Sequence, residues 1–137
     1  MIIDLERKNN AFHFEATNES GVKIQIDASP AIGGENKGAR PMELLIMGLG
    51  GCSAIDILNI LYKQKVTIES MRIKIDAARE ADVTPSLFNN IHITYYLKGQ
   101  VDRNKAERAV NLSLDKYCSV AKTLEKTATI SYDLVLE

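Results

Sequence analysis

The chain has 137 residues, about one domain by length, with 45% hydrophobic and 26% charged residues, a balance that excludes a disordered or collagen-like polymer. Seventeen Lys and Arg against eighteen Asp and Glu leave a net charge of -1, and aromatic content is 6% with no Trp. The basic excess that binds phosphate backbones and the stacking surface that holds bases are both missing, so nucleic acid is not an expected partner.

The N-terminus, MIIDLERKNN, carries Asp4 and Glu6 where a secretory signal has basic residues and a longer apolar run. The expected compartment is the cytoplasm, where thiols are kept reduced. No repeat, low-complexity tract or linker divides the sequence, and residues 1–137 read as a single domain. The first third alternates like a β-meander. Phe12, Phe14 and Ala16 lead to turn chemistry at 18–21, and Val22, Ile24 and Ile26 alternate again. Residues 29–40, SPAIGGENKGAR, read as a Gly-rich loop, with Pro41 suited to the first turn of the helix that follows.

From Pro41 to about Lys63 the pattern is helical and apolar on nearly all sides. The run from Leu44 to Tyr62 is near the length that spans a bilayer. Asp56 within it would cost roughly 2.5–3.5 kcal/mol on insertion, so a protein core is the expected surrounding and no membrane partner is implied. One sheet covers only one side of such a helix; another helix, a second subunit or both must cover the rest. Gly48, Gly50 and Gly51 suggest close approach of another backbone, or a kink just before Cys52.

Two strands are expected next, at 68–78 and 91–97. Asp102 is placed to cap a second helix whose stripe is Ala106, Ala109, Val110, Ser113 and Tyr117. A short turn or helix over 118–126 and a last strand over 128–136 complete the order. Strands, helix, two strands, helix and strand make an α+β fold rather than a doubly wound parallel sheet.

The chain has two cysteines, Cys52 and Cys118, 66 positions apart. Four readings are open. They are two unrelated buried thiols, which pack as small hydrophobes; a structural disulfide, disfavoured by a reducing compartment; zinc ligands; or a redox pair. Zinc needs three or four ligands with a closely spaced pair such as CxxC or HxxxH, and His13 and His92 lack that spacing. In a redox pair, one thiolate becomes a sulfenic acid and the other thiol condenses with it to a disulfide. Asp56 lies one turn beyond Cys52; as an anion it opposes thiolate formation, so it is read as a structural group bonded to a Lys or to backbone. Lys122, one turn beyond Cys118, is read as a surface charge. Tyr62 and Tyr117 are expected in the core, and His13 and His92 in structural roles.

The run GGENKGARPMELLIMGLGGCSAIDIL, followed by KYCSVAKTLEK, resembles the OsmC/Ohr family of osmotically inducible and organic hydroperoxide resistance proteins. The resemblance covers most of the chain. It implies sheets of antiparallel strands wrapped around a long central buried helix, in an intertwined homodimer. It also implies reduction of organic hydroperoxides without metal, flavin or other cofactor, with an external dithiol as reductant. By that resemblance Cys52 is the peroxidatic residue and Cys118 the resolving one. Arg40 and Glu43 are the candidates for the Arg and Glu that activate the thiol, and Leu49 and Ile55, with partner residues, build an apolar substrate wall. The family's Glu follows the Pro directly, where this chain has Met42, with Glu43 one residue later. That departure favours the alternative, an OsmC-fold protein that binds a small apolar ligand or a partner with little peroxidase turnover.

Overall fold

The structure is a computed structural model describing all residues 1–137. The chain forms two compact units, 1–45 and 46–137.

In the first unit, alternation gives a three-stranded antiparallel sheet of β1 (Ile3–Arg7), β2 (Phe14–Asn18) and β3 (Lys23–Ile26), in that order. β1, beginning within the MIIDLERKNN segment, completes the meander. The turn between β2 and β3 is held by the Asn18 side chain, whose Oδ1 accepts from the Ser20 and Val22 amides. The register pairs Ile3 with Asn18, Leu5 with Ala16, Phe14 with Ile26 and Ala16 with Ile24. One face of the sheet therefore carries Ile3, Leu5, Phe14, Ala16, Ile24 and Ile26. Ile3, Leu5 and Ile24 on that face are about half exposed.

The Gly-rich loop leads to α1 (Pro41–Lys63), with the bounds the sequence suggested. Glu43 accepts a 2.8 Å bond from the Arg40 amide, the reciprocal half of a capping box, with Pro41 at the first helical position. Glu43→Ala is therefore expected to lower stability by about 1 kcal/mol, measurable by urea unfolding.

The second unit contains β4 (Ser70–Arg79), β5 (Phe88–Lys98), α2 (Arg103–Leu112), a π-helical turn (Ser113–Tyr117), α3 (Ser119–Leu124) and β6 (Thr129–Leu136). Asp102 caps α2, accepting from the Lys105 amide. The sheet order is β4-β5-β6. The β4–β5 pair is antiparallel, whereas β5 and β6 run parallel, a departure from all-antiparallel sheets. The physical reason is the connection: α2, the π turn and α3 carry the chain back to the start of β5 before β6 begins, and a long helical crossover produces parallel pairing.

β5 is central, and its Ile91, Ile93, Tyr95 and Leu97 are fully buried. At about 1.5–3 kcal/mol for each large apolar side chain, this strand anchors the unit. From α2 and its continuation, Ala106, Ala109, Val110 and Ser113 are buried as expected, but Tyr117 is 50% exposed. The π turn rotates Tyr117 off the stripe that an unbroken α-helix would have continued.

Within one chain α1 buries one stripe only, Leu49, Ser53, Ile57 and Leu61. Met47 at 59%, Ile55 at 69% and Tyr62 at 58% exposure lie on the opposite side. At ~100° per residue, the helical period separates the two faces by roughly half a turn. Leu49 and Ile55 thus do not build one wall in a single chain. The helix is continuous through its glycines to Cys52 and beyond. A Cβ on Gly50 would lie 3.3 Å from Ile75 Cδ1 of β4, while Gly48 and Gly51 face open space. By length and composition alone α1 could cross a bilayer.

Candidate functional site

Three elements of the second unit bring the two cysteines together. Cys52 projects from the middle of α1, and Cys118 stands at the junction of the π turn and α3. The turn is closed by a 2.8 Å bond from the Cys118 amide to the Ser113 carbonyl, five residues back. It ends where Cys118 adopts extended backbone, with φ -72° and ψ 101°, and becomes the N-cap of α3. Cys118 Sγ accepts from the Ala121 amide at 3.4 Å.

Cys52 Sγ, Cys118 Sγ and an Asp56 carboxylate oxygen all lie within 4.8 Å of one another. Both thiols are free, Cys118 fully buried and Cys52 partly exposed. Burial above all, and then the neighbouring Cys52 sulfur, push the Cys118 thiol up to about 11, against the Ala121 amide, which pulls it down. At neutral pH Cys118 is therefore a protonated thiol beside a more accessible sulfur. Such a pair can exchange oxidation state: the accessible sulfur meets solutes first, and the buried one is within a small movement of it.

Asp56 bonds to neither a Lys nor a backbone group. It accepts from the Ser113 hydroxyl at 3.3 Å, and the same hydroxyl lies 3.4 Å from the Ser53 carbonyl oxygen. Ser113 thus ties α1 to the π turn and fixes the approach of Cys118 to Cys52. Beside this cluster the Tyr95 hydroxyl is fully enclosed without a hydrogen-bond partner. Burial raises it to about 12, with Ser53 pulling the other way. Tyr95 packs edge-on against Tyr132, with ring centroids 6.2 Å apart. Neither Ser113 nor Tyr95 was selected as a site residue from sequence. The available signal for Ser113 was a small hydroxyl in an otherwise apolar stripe; β5 alternation marked Tyr95 only as core.

The remaining candidates occupy local roles. Arg40 bonds through its guanidinium to the Gly38 carbonyl and the Asn36 side chain, and Glu43 caps the Arg40 amide. Lys122 pairs with Glu125 at 2.6 Å, as befits a surface charge. His13, just before β2, bonds to Gln25 of β3 at 2.6 Å, and His92 of β5 bonds to Ser131 and Asp133 of β6 at 2.8 and 3.1 Å. Asp56 also lines a cleft of about 420 Å³ with Asn59, Gln64, Arg108, Leu112 and Tyr117.

Known proteins share this arrangement of chain. Protein YhfA of Escherichia coli K12 is 37% identical over 125 residues, covering 89% of this chain and 90% of that protein. A crystal structure of a hypothetical protein from Aquifex aeolicus VF5 is 31% identical with a TM-score of 0.81, over 99% of this chain and 96% of the other. The OsmC-like protein of Mycoplasma pneumoniae shares the fold at 16% identity, with a TM-score of 0.83 over 98% of this chain and 95% of that one. The family described as OsmC-like protein matches residues 34–133, a span that includes α1, both sulfurs and the crossover that unites them. With the α+β topology and the YhfA relationship in agreement, the chain belongs to the OsmC-like family.

Proposed function

We propose that this protein is a cytoplasmic, homodimeric, thiol-dependent reductase of organic hydroperoxides. The single observation carrying the chemistry is the convergence of a partly exposed and a buried sulfur from positions 52 and 118. Family membership supports a redox role for such a pair. Cys52, as thiolate, attacks the distal peroxide oxygen. The O–O bond breaks, the alkoxide takes a proton and leaves as alcohol, and Cys52 becomes a sulfenic acid. Cys118 loses its proton and attacks the Cys52 sulfur; an S–S bond forms and hydroxide leaves as water. An external dithiol reduces the disulfide by exchange and is itself oxidised to a disulfide. No metal, flavin or other cofactor takes part in this sequence.

The difference in burial supports the order of events. Cys118 has no exposed surface for a peroxide to reach, and a thiol held protonated is a poor first nucleophile but a suitable second one. Glu43 lies nine residues before Cys52 on α1, ~13.5 Å along its axis, so in this proposal Arg40 and Glu43 act on a Cys52 thiol only across the dimer. Two exposed apolar surfaces support the homodimer: the outward face of α1 and the apolar face of the first sheet.

The test is stoichiometric. Reduced protein exposed to one equivalent of cumene hydroperoxide is expected to lose both thiols and gain one intrachain disulfide, with one equivalent of alcohol formed. Thiols that survive excess peroxide would remove the peroxidase reading. They would leave the ligand-binding alternative, which the displaced Glu at Met42 favours.

A further inference from the structure

Disulfide chemistry needs two sulfurs, yet the cluster has a third member. An Asp56 carboxylate oxygen lies within 4.8 Å of both sulfurs. As an anion, it opposes thiolate formation at each of them. A divalent cation held between the three groups reverses that sign: each negative donor then supports the others.

The geometry suits such an ion. Zinc takes thiolate sulfur at about 2.3 Å and carboxylate oxygen at about 2.0–2.2 Å in a tetrahedral arrangement, which sets donors about 3.5–3.8 Å apart. Donors already within 4.8 Å of one another need to close by no more than about 1.3 Å to reach it. Cys52 and Asp56, four residues apart on one helix, are the closely spaced pair that zinc sites use, and Cys118 is the third ligand. Outer contacts orient two of the three: Ser113 donates to Asp56 Oδ2 at 3.3 Å, and the Ala121 amide donates to Cys118 Sγ at 3.4 Å. Of the three donors, Asp56 lines the cleft that it shares with Asn59 and Gln64, from which a water would supply the fourth ligand. Three protein ligands and one open position make an exchangeable site rather than a closed structural one.

We propose that the reduced protein binds one Zn2+ per chain through Cys52, Asp56 and Cys118. Binding displaces one proton from each thiol and transfers no electrons. Two-electron oxidation of the pair to a disulfide removes both thiolates and releases the ion. Zinc and peroxide therefore compete for the same sulfurs. This binding does not depend on peroxide turnover, and its test uses none.

Reduced protein titrated anaerobically with Co2+ is expected to develop a near-ultraviolet sulfur-to-cobalt charge-transfer band that saturates at one ion per chain and disappears on adding Zn2+. Cys118→Ser should halve the band, and Cys52→Ser should do the same. Asp56→Asn, which keeps both thiols and nearly the same shape, should weaken binding at least tenfold. Bound Zn2+ should protect both cysteines from alkylation. No sulfur band, an affinity unchanged in Asp56→Asn, or equal binding by the disulfide form would each overturn the proposal. If Asp56→Asn fails to fold by circular dichroism, the paired serine variants decide: a band unaffected by either one overturns it as well.

Discussion

Cys52→Ser is expected to reduce turnover of cumene hydroperoxide, supplied with excess dithiol, to the rate seen without protein. A hydroxyl at that position is almost wholly protonated at neutral pH and is a far weaker nucleophile toward an O–O bond than a thiolate. Cys118 cannot substitute for it, because its sulfur is enclosed and held as a neutral thiol. The companion variant separates the two roles. Cys118→Ser should still consume about one equivalent of peroxide per chain, then stall. Without a second sulfur to trap it, the Cys52 sulfenic acid proceeds to sulfinic and sulfonic acids, seen by mass spectrometry as successive additions of oxygen. Undiminished turnover by Cys52→Ser would reverse or abolish the assigned roles. Sustained turnover by Cys118→Ser without over-oxidation would show that Cys118 does not resolve the intermediate.

The elements were legible because their local signals were strong. Pro41 and the extent of the apolar helical pattern bounded α1, Asp102 marked the start of α2, and alternation through Ile130, Tyr132 and Leu134 marked β6. The parallel pairing of β5 with β6 was not legible, since period-two alternation is the same in either direction. Nor was the π turn. It inserts an extra residue's worth of backbone between Ser113 and Cys118, which no side-chain period announces, and it moved Tyr117 out to solvent.

At the site, the two cysteines were conspicuous by type, but their approach was set by a tertiary link. Ser113, bonded to Asp56 and near the Ser53 carbonyl, supplies that link. Asp56 itself was seen from the sequence as a helix neighbour of Cys52, yet its partner was misassigned, because a hydroxyl 57 residues away leaves no local trace. Arg40 and Glu43 were named by residue type alone; within one chain they make loop and cap bonds.

Ile55→Glu is expected to convert the protein from a dimer to a monomer. Met47, Gly51, Ile55 and Tyr62 lie within about one third of the α1 circumference, opposite the buried stripe. Three of the four are large side chains more than half exposed in the single chain. Gly51 has no neighbour within 4 Å of where a Cβ would stand, leaving room for another backbone. A two-fold interface uses the same patch on both partners, so one substitution acts twice. Loss of two buried Ile side chains amounts to about 3–6 kcal/mol, before adding the cost of enclosing two unpaired carboxylates. The dimer dissociation constant should rise by at least about a hundredfold. Sedimentation velocity across a concentration series would read this as a shift from twice the chain mass to one. Met47→Lys, eight residues earlier on the same face, should act in the same direction. A wild-type protein that sediments as a monomer, or variants that remain fully dimeric, would remove α1 from the interface and leave its exposed apolar face without a partner.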